Sequence, residues 1–153
     1  MSSKALMPSA AKRFFLDANI LFSAAYSAEG RSAALFALAR RRLCRLVTSH
    51  YAIQEAQRNL SDKKPGALKS LTPLLNWVKV VREANIAERE RVAAIGLDAM
   101  DAPILAAAIG AADVLVTGDH KHFGRWMGKD IFGVRVSSLA DALDFVLRDS
   151  RAH

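Results

Sequence analysis

The sequence predicts an α/β chain: a three-layer α/β/α sandwich around a central, mostly parallel sheet of about five short strands. Three observations predict it. Short apolar runs alternate with helical stretches along nearly the whole length. Breaks such as "SDKKPG" and "TGD" fall between them, supplying the turns. The 153 residues, 52% of them hydrophobic, are enough for one compact core.

The elements follow in order. Residues 1–12 carry Ser, Pro and Lys without a clear period and predict a mobile start; residues 13–150 read as one domain. Arg13–Leu16 is a first strand. Over residues 31–42 a helix is expected, because Ala34, Leu35, Leu38 and Ala39 share a face. Residues 44–48 form a short strand, and Ser49 can cap a helix through about residue 60. Pro65 and Gly66 punctuate the break after it. A helix over 67–75, a strand at Val78–Val81 and a helix over 86–94 come next. Pro103 opens the helix "ILAAAIGAA"; residues 113–116 are a strand ended by "TGD". A last strand at 134–136 leads to a helix over 138–148.

Composition excludes several classes. No apolar run reaches the roughly 18–20 residues a bilayer span needs. The run around Phe14 is broken by Asp17 and Asn19, so no signal peptide is expected. A single cysteine, Cys44, permits no intrachain disulfide, reads as a small core residue and suits a reducing cytoplasm. The formal charge of +7 favours polyanions, nucleic acid first.

The acids are distributed unevenly for so basic a chain. In open parallel sheets, ligands bind beyond the carboxyl ends of the strands. Asp17 ends the first strand, Asp119 follows "DVLVT", and Asp101 sits in the turn before an alanine-rich helix. On the helix after strand two, Ala52, Ile53, Ala56 and Leu60 form the apolar stripe. Glu55 falls at the margin of that stripe, away from the wet side held by Gln54, Gln57 and Arg58. Each acid alone has an ordinary reading. Asp17, or Asp98 and Asp101, could cap helices; Asp119 could be a turn residue; Glu55 could pair with an arginine. Together, four carboxylates at one sheet end repel unless a cation lies among them. Oxygen-only ligation points to Mg²⁺ or Mn²⁺, ions that work on phosphate esters. Metal, phosphate and a basic surface converge on a nuclease.

These stretches also carry a family resemblance. "FFLDANILFSA", "SHYAIQEAQRNL" and "MDAPILAAAIGAADVLVTGDHKHF", in this order and spacing, resemble the PIN domain, a group of metal-dependent ribonucleases that includes the VapC-like toxins of toxin–antitoxin pairs. Residues 61–90 carry no matching motif, so the likeness there is one of layout. The resemblance implies the strand order 3-2-1-4-5, which sets the first and fourth strands side by side. It implies Asp17, Glu55, Asp101 and Asp119 as the catalytic, metal-binding quartet, with Asn19 and Thr117 orienting it and Asp98 either reaching the metal or capping. It further implies a cytoplasmic Mg²⁺- or Mn²⁺-dependent endoribonuclease acting on RNA, an antitoxin partner and a homodimer.

Other residues are weighed beside these. His120 and His122 read as loop residues, and Lys121, Arg125 and Lys129 as phosphate contacts for RNA. Arg40, Arg41, Arg42 and Arg45 read as a solvated, dipole-matched helix end. Trp77, Trp126 and the phenylalanines read as core. Two alternatives stand: a non-catalytic PIN-like binding module, and a phosphatase with Asp17 as nucleophile. Asn19, where such phosphatases carry a second Asp, counts against the latter.

Overall fold

The computed structural model describes residues 11–152, with the side chains of 151 and 152 left aside. The mobile start expected for residues 1–12 lies, but for Ala11 and Lys12, outside the described residues. The chain runs β1 (Arg13–Leu16), α1 (Ala18–Tyr26), α2 (Arg31–Arg40), β2 (Arg45–Ser49), α3 (His50–Lys63), α4 (Leu68–Leu75), β3 (Val78–Val81), α5 (Ile86–Ala93), α6 (Ala102–Ala108), β4 (Val114–Val116), α7 (His120–Phe123), β5 (Asp130–Ile131), β6 (Val134–Ser137) and α8 (Leu139–Ala152). Short 3₁₀ turns at Pro65–Ala67 and Gly124–Trp126 link α3 to α4 and follow α7.

The strands form one sheet in the order β3-β2-β1-β4-β6-β5. All neighbours are parallel except β5 with β6. Without β5, this is the order that the resemblance implies. Phe14, Phe15 and Leu16 of β1 are fully buried, as befits a central strand covered on both faces. Helix α1 gathers α2, α3 and α4, while α6 pairs with α5 and lies on β2 and β4.

Local chemistry explains the boundaries. Ser49 Oγ accepts from Ala52 N at 3.2 Å and starts α3. The predicted stripe Ala52, Ile53, Ala56 and Leu60 is its buried face. Asn85 and Glu88 form a reciprocal capping box that begins α5. Every residue of α6, APILAAA, is buried; small side chains all round let its axis lie close to the sheet.

Several expectations need correction. Helix α2 stops at Arg40, two residues early, because Arg42 takes a left-handed conformation with φ 63°. Arg42 N donates to Ala39 O at 2.9 Å and Leu43 N to Leu38 O at 3.1 Å, the reversal that usually recruits glycine. The sheet has a sixth strand, since Phe132 (φ 52°) and Gly133 (φ 87°) make a two-residue hairpin turn joining β5 to β6. Arg91 lies over the Phe132 ring at 4.6 Å. Helix α1 was foreshadowed only by the capping reading of Asp17. Among the aromatics, Phe14, Phe15, Phe36 and Phe123 are core, but Trp77 is 46% exposed and Phe132 and Phe145 are exposed too. Phe22 and Trp126 are half-buried against the core.

Leu105 is fully buried at the centre of α6. Leu105→Ala should cost about 2–5 kcal/mol, read as a lower urea midpoint at unchanged slope.

A candidate metal centre at the carboxyl edge of the sheet

Asp17 leaves β1 where that strand meets β4, its own N–H donating to Val116 O at 3.1 Å. Its side chain is 5% exposed and caps α1 by accepting from Ala18 N at 2.7 Å. The Thr117 hydroxyl donates to Asp17 Oδ2 at 2.7 Å, and Asn19 Nδ2 does so at 3.3 Å. Burial lifts the carboxyl to about 6, against the pull of Thr117 and Ala18; the charges of Glu55 and Asp119 add to the rise. The capping reading of Asp17 is therefore right but incomplete.

Thr117 and Asn19 join the two strand ends. Thr117 Oγ1 also accepts from Asp119 N at 3.0 Å, and Asn19 Oδ1 accepts from Gly118 N at 2.8 Å. A Cβ at Gly118 would stand 3.3 Å from Asn19 Oδ1, so the glycine in "TGD" permits this close approach.

Asp119 caps the short helix α7: Oδ1 accepts from His122 N at 3.0 Å. Its Oδ2 lies 2.7 Å from His122 Nδ1. Burial works to raise this carboxyl, but the His122 ring, its backbone N–H and its charge together hold it below the usual range. The same bond raises His122, helped by the charges of Asp101, Asp119 and Asp98 against desolvation. His122 is thus no free loop residue, as the sequence suggested. Only His120 is exposed and away from the cluster.

Asp101 stands at the N-cap position of α6 yet its side chain caps nothing. Asp98 instead closes the turn, its Oδ1 accepting from Met100 N at 2.8 Å. Asp101 Oδ2 is 3.3 Å from His122 Nδ1, but that nitrogen's one proton is engaged by Asp119. Asp101 Oδ2 is consequently a buried carboxylate oxygen with no hydrogen-bond partner. Burial raises Asp101 to about 6; His122 opposes the rise, and Asp119, Asp17 and Asp98 add to it.

One ligand atom from each of Asp101, Asp119 and His122 lies within 4.8 Å of the others. Asp17 is coupled by charge to Asp101 and Asp119 of this trio and to Glu55, which is half-buried on α3. Tyr51, one turn before Glu55, passed unremarked in the sequence. Its hydroxyl donates to Met100 O at 2.9 Å, tying α3 to the Asp101 turn. Burial first, then the charge of Glu55, pushes its phenol up to about 12. Its spacing of four residues from Glu55, on the same helix face, was the available signal.

The outer cations differ in availability. Arg125 donates to Ile95 O at 3.2 Å and stacks over Trp126 at 4.2 Å, so its guanidinium is already engaged. Lys121 and Lys129 are exposed.

A sequence model of the PIN domain matches residues 13–121. No curated protein matches the sequence. The crystal structure of PAE2754 from Pyrobaculum aerophilum is similar at TM-score 0.67 and 22% identity, covering 90% of this chain and 98% of that one. VapBC2 from Rickettsia felis, bound to a DNA fragment from their promoter, is similar at 0.61 and 20% identity, covering 82% of this chain and 98% of that one. FitAcB from Neisseria gonorrhoeae gives 0.55 and 20% identity, over 83% and 98%. At such identities the likeness is one of fold.

Asp17 has a folded value near 6 against an ordinary 3.8. Between those values the folded protein holds a proton that the unfolded chain releases, so stability declines as pH rises through that window. For so buried a group the loss is roughly 3 kcal/mol above pH 6. Thermal melts of metal-free Asp17→Asn should therefore show a gain of several degrees over the parent above pH 6, shrinking to nothing below pH 3.8.

Proposed function

Since the chain belongs to the PIN-domain family, we propose that it is a metal-dependent endoribonuclease that hydrolyses RNA phosphodiesters. The observation that carries this reading is the buried Asp101 Oδ2, which accepts no hydrogen bond and feels the charges of Asp119 and Asp17. Among the described residues, no lysine or arginine forms an ion pair with Asp17, Glu55, Asp101 or Asp119. With only the His122 ring 3.3 Å away to offset its charge, a buried carboxylate oxygen lacking a hydrogen bond is costly, and a divalent cation is the partner that fits it.

Asp17, Asp101 and Asp119 would hold Mg²⁺ or Mn²⁺, with Glu55 completing the set; the oxygen-rich donors suit these ions. Such an ion, when bound, offsets the charge of the cluster, polarises a phosphodiester and makes water a better nucleophile. Thr117 and Asn19 orient Asp17 by fixing its Oδ2. His122 keeps a proton-bearing nitrogen between Asp101 and Asp119, where it softens their repulsion. Loading the site requires that ring to turn away or give up its proton, so metal affinity rises with pH. Asp98 acts on the cluster by charge while bracing the turn. Of the outer cations, Lys121 and Lys129 are free to meet phosphates, whereas Arg125 serves the fold.

The reading extends to a toxin component that works in the cytoplasm, paired with an antitoxin chain and able to form a homodimer. The solved complexes VapBC2 and FitAcB, similar in fold, support it. A phosphoaspartyl enzyme is disfavoured, because Asp17 is buried and both its oxygens already accept hydrogen bonds.

Incubation with single-stranded RNA and Mn²⁺ or Mg²⁺ should give endonucleolytic products, and EDTA should stop it. Asp17→Asn and Asp119→Asn should each cut turnover at least about a hundredfold while keeping native circular dichroism. Cleavage at the parental rate by either variant overturns the assignment. In the same preparations Mn²⁺ should raise the melting temperature of the parent and leave that of Asp119→Asn nearly unchanged.

A further inference from the structure

A second concave site lies away from the acids. It is a groove of about 700 Å³ at the opposite, amino edge of the sheet. Arg13 and Arg45 stand paired at the starts of β1 and β2. Lys79 pairs with Val47, two residues beyond Arg45, and Trp77 immediately precedes β3. Arg42 enters from the turn after α2, and the loop ahead of β4 forms the other wall. The lining holds four cations and no acid.

Two of these cations are committed. Arg13 pairs with Asp113 at 3.3 Å, and the Arg45 guanidinium donates to Ala11 O at 2.9 Å. Arg42 and Lys79 are exposed and have no side-chain partner among the described residues. Arg42 also occupies a backbone position with φ 63° that glycine would fill at less cost, and its strain places a free guanidinium at the groove mouth. Trp77, 46% exposed, offers an indole face at the same end. Free cations beside an exposed aromatic ring, on an acid-free wall, are the chemistry of single-stranded nucleic acid binding: phosphates meet the charges and a base stacks on the ring. The chain's own start does not fit, since residues 1–10 carry one lysine and no acid.

We propose that this groove binds single-stranded RNA, with Arg42 and Lys79 on its phosphates and a base stacked on Trp77. The proposal rests on the ribonuclease reading only in naming RNA as the ligand. The strands separating groove from acids are about 15 Å long, a few nucleotides of extended chain, so a strand held here flanks the scissile phosphate. The groove is thus a holding site for substrate and takes no part in the chemistry.

Fluorescence anisotropy of a labelled, mixed-sequence single-stranded RNA in EDTA tests it on the full chain. The parent should bind, with affinity that weakens steeply as salt rises. Trp77→Ala and Lys79→Glu, both at exposed positions, should weaken binding roughly tenfold each. Arg42→Gly should weaken it several-fold while melting a few degrees higher, an outcome that loss of folding cannot mimic. No binding by the parent in EDTA, variants that bind like the parent, or equal affinity for duplex DNA with no effect of Trp77→Ala would each overturn the groove. Cleavage with Mn²⁺ is scored separately. A parent that cleaves but shows no groove effect leaves the ribonuclease standing, and one that binds through the groove but never cleaves removes the ribonuclease alone.

Discussion

The hydrogen bond from the Thr117 hydroxyl to the buried Asp17 carboxylate is the constraint on which the acidic edge depends. It fastens the end of β1 to the end of β4, and through Thr117 it reaches Asp119. Without such donors, a carboxylate this deep would be driven to its neutral form. With them it is held close to 6, low enough for the carboxylate to stay largely ionised at neutral pH despite its burial. Asn19 reinforces the joint from α1, and Gly118 makes room for it. The rigidity of the site is thus supplied by neutral side chains, while the charged ones remain underpaired.

That arrangement splits labour across the sheet. At the carboxyl edge lie Asp17, Asp101 and Asp119, with His122 the sole cation-forming side chain in contact with them among the described residues. At the amino edge lie Arg13, Arg45, Arg42 and Lys79. Parallel strands make this separation simple, because β1, β2, β3, β4 and β6 all start at one edge and finish at the other. A basic chain of +7 can therefore keep a concentrated anionic pocket without neutralising it by its own lysines.

Much of this was legible in the sequence, for physical reasons. The apolar run of β1, the serine that caps α3 and the stripe Ala52, Ile53, Ala56 and Leu60 are local patterns, and each appears where expected. The strand order followed from the family likeness. What escaped was what depends on three-dimensional neighbours. His122 reads as a loop residue until Asp101, far away in sequence, stands 3.3 Å from it. The turn at Phe132 and Gly133 needs a bulky residue at positive φ, which local preference argues against. Trp77 reads as core because tryptophan is large and apolar, yet it falls beside an edge strand and is 46% exposed. Arg42 ends a helix in the manner of a glycine, which the run of arginines conceals.

The two margins of the sheet have unequal consequences for self-association. On one side, β5 offers two residues, too few to template another strand. On the other, β3 offers four, but among them is the exposed Lys79, a charge of the kind that discourages pairing at an edge. Short length at one limit and a lysine at the other both work against edge-to-edge strand addition, the route by which exposed sheet margins form ribbon-like aggregates.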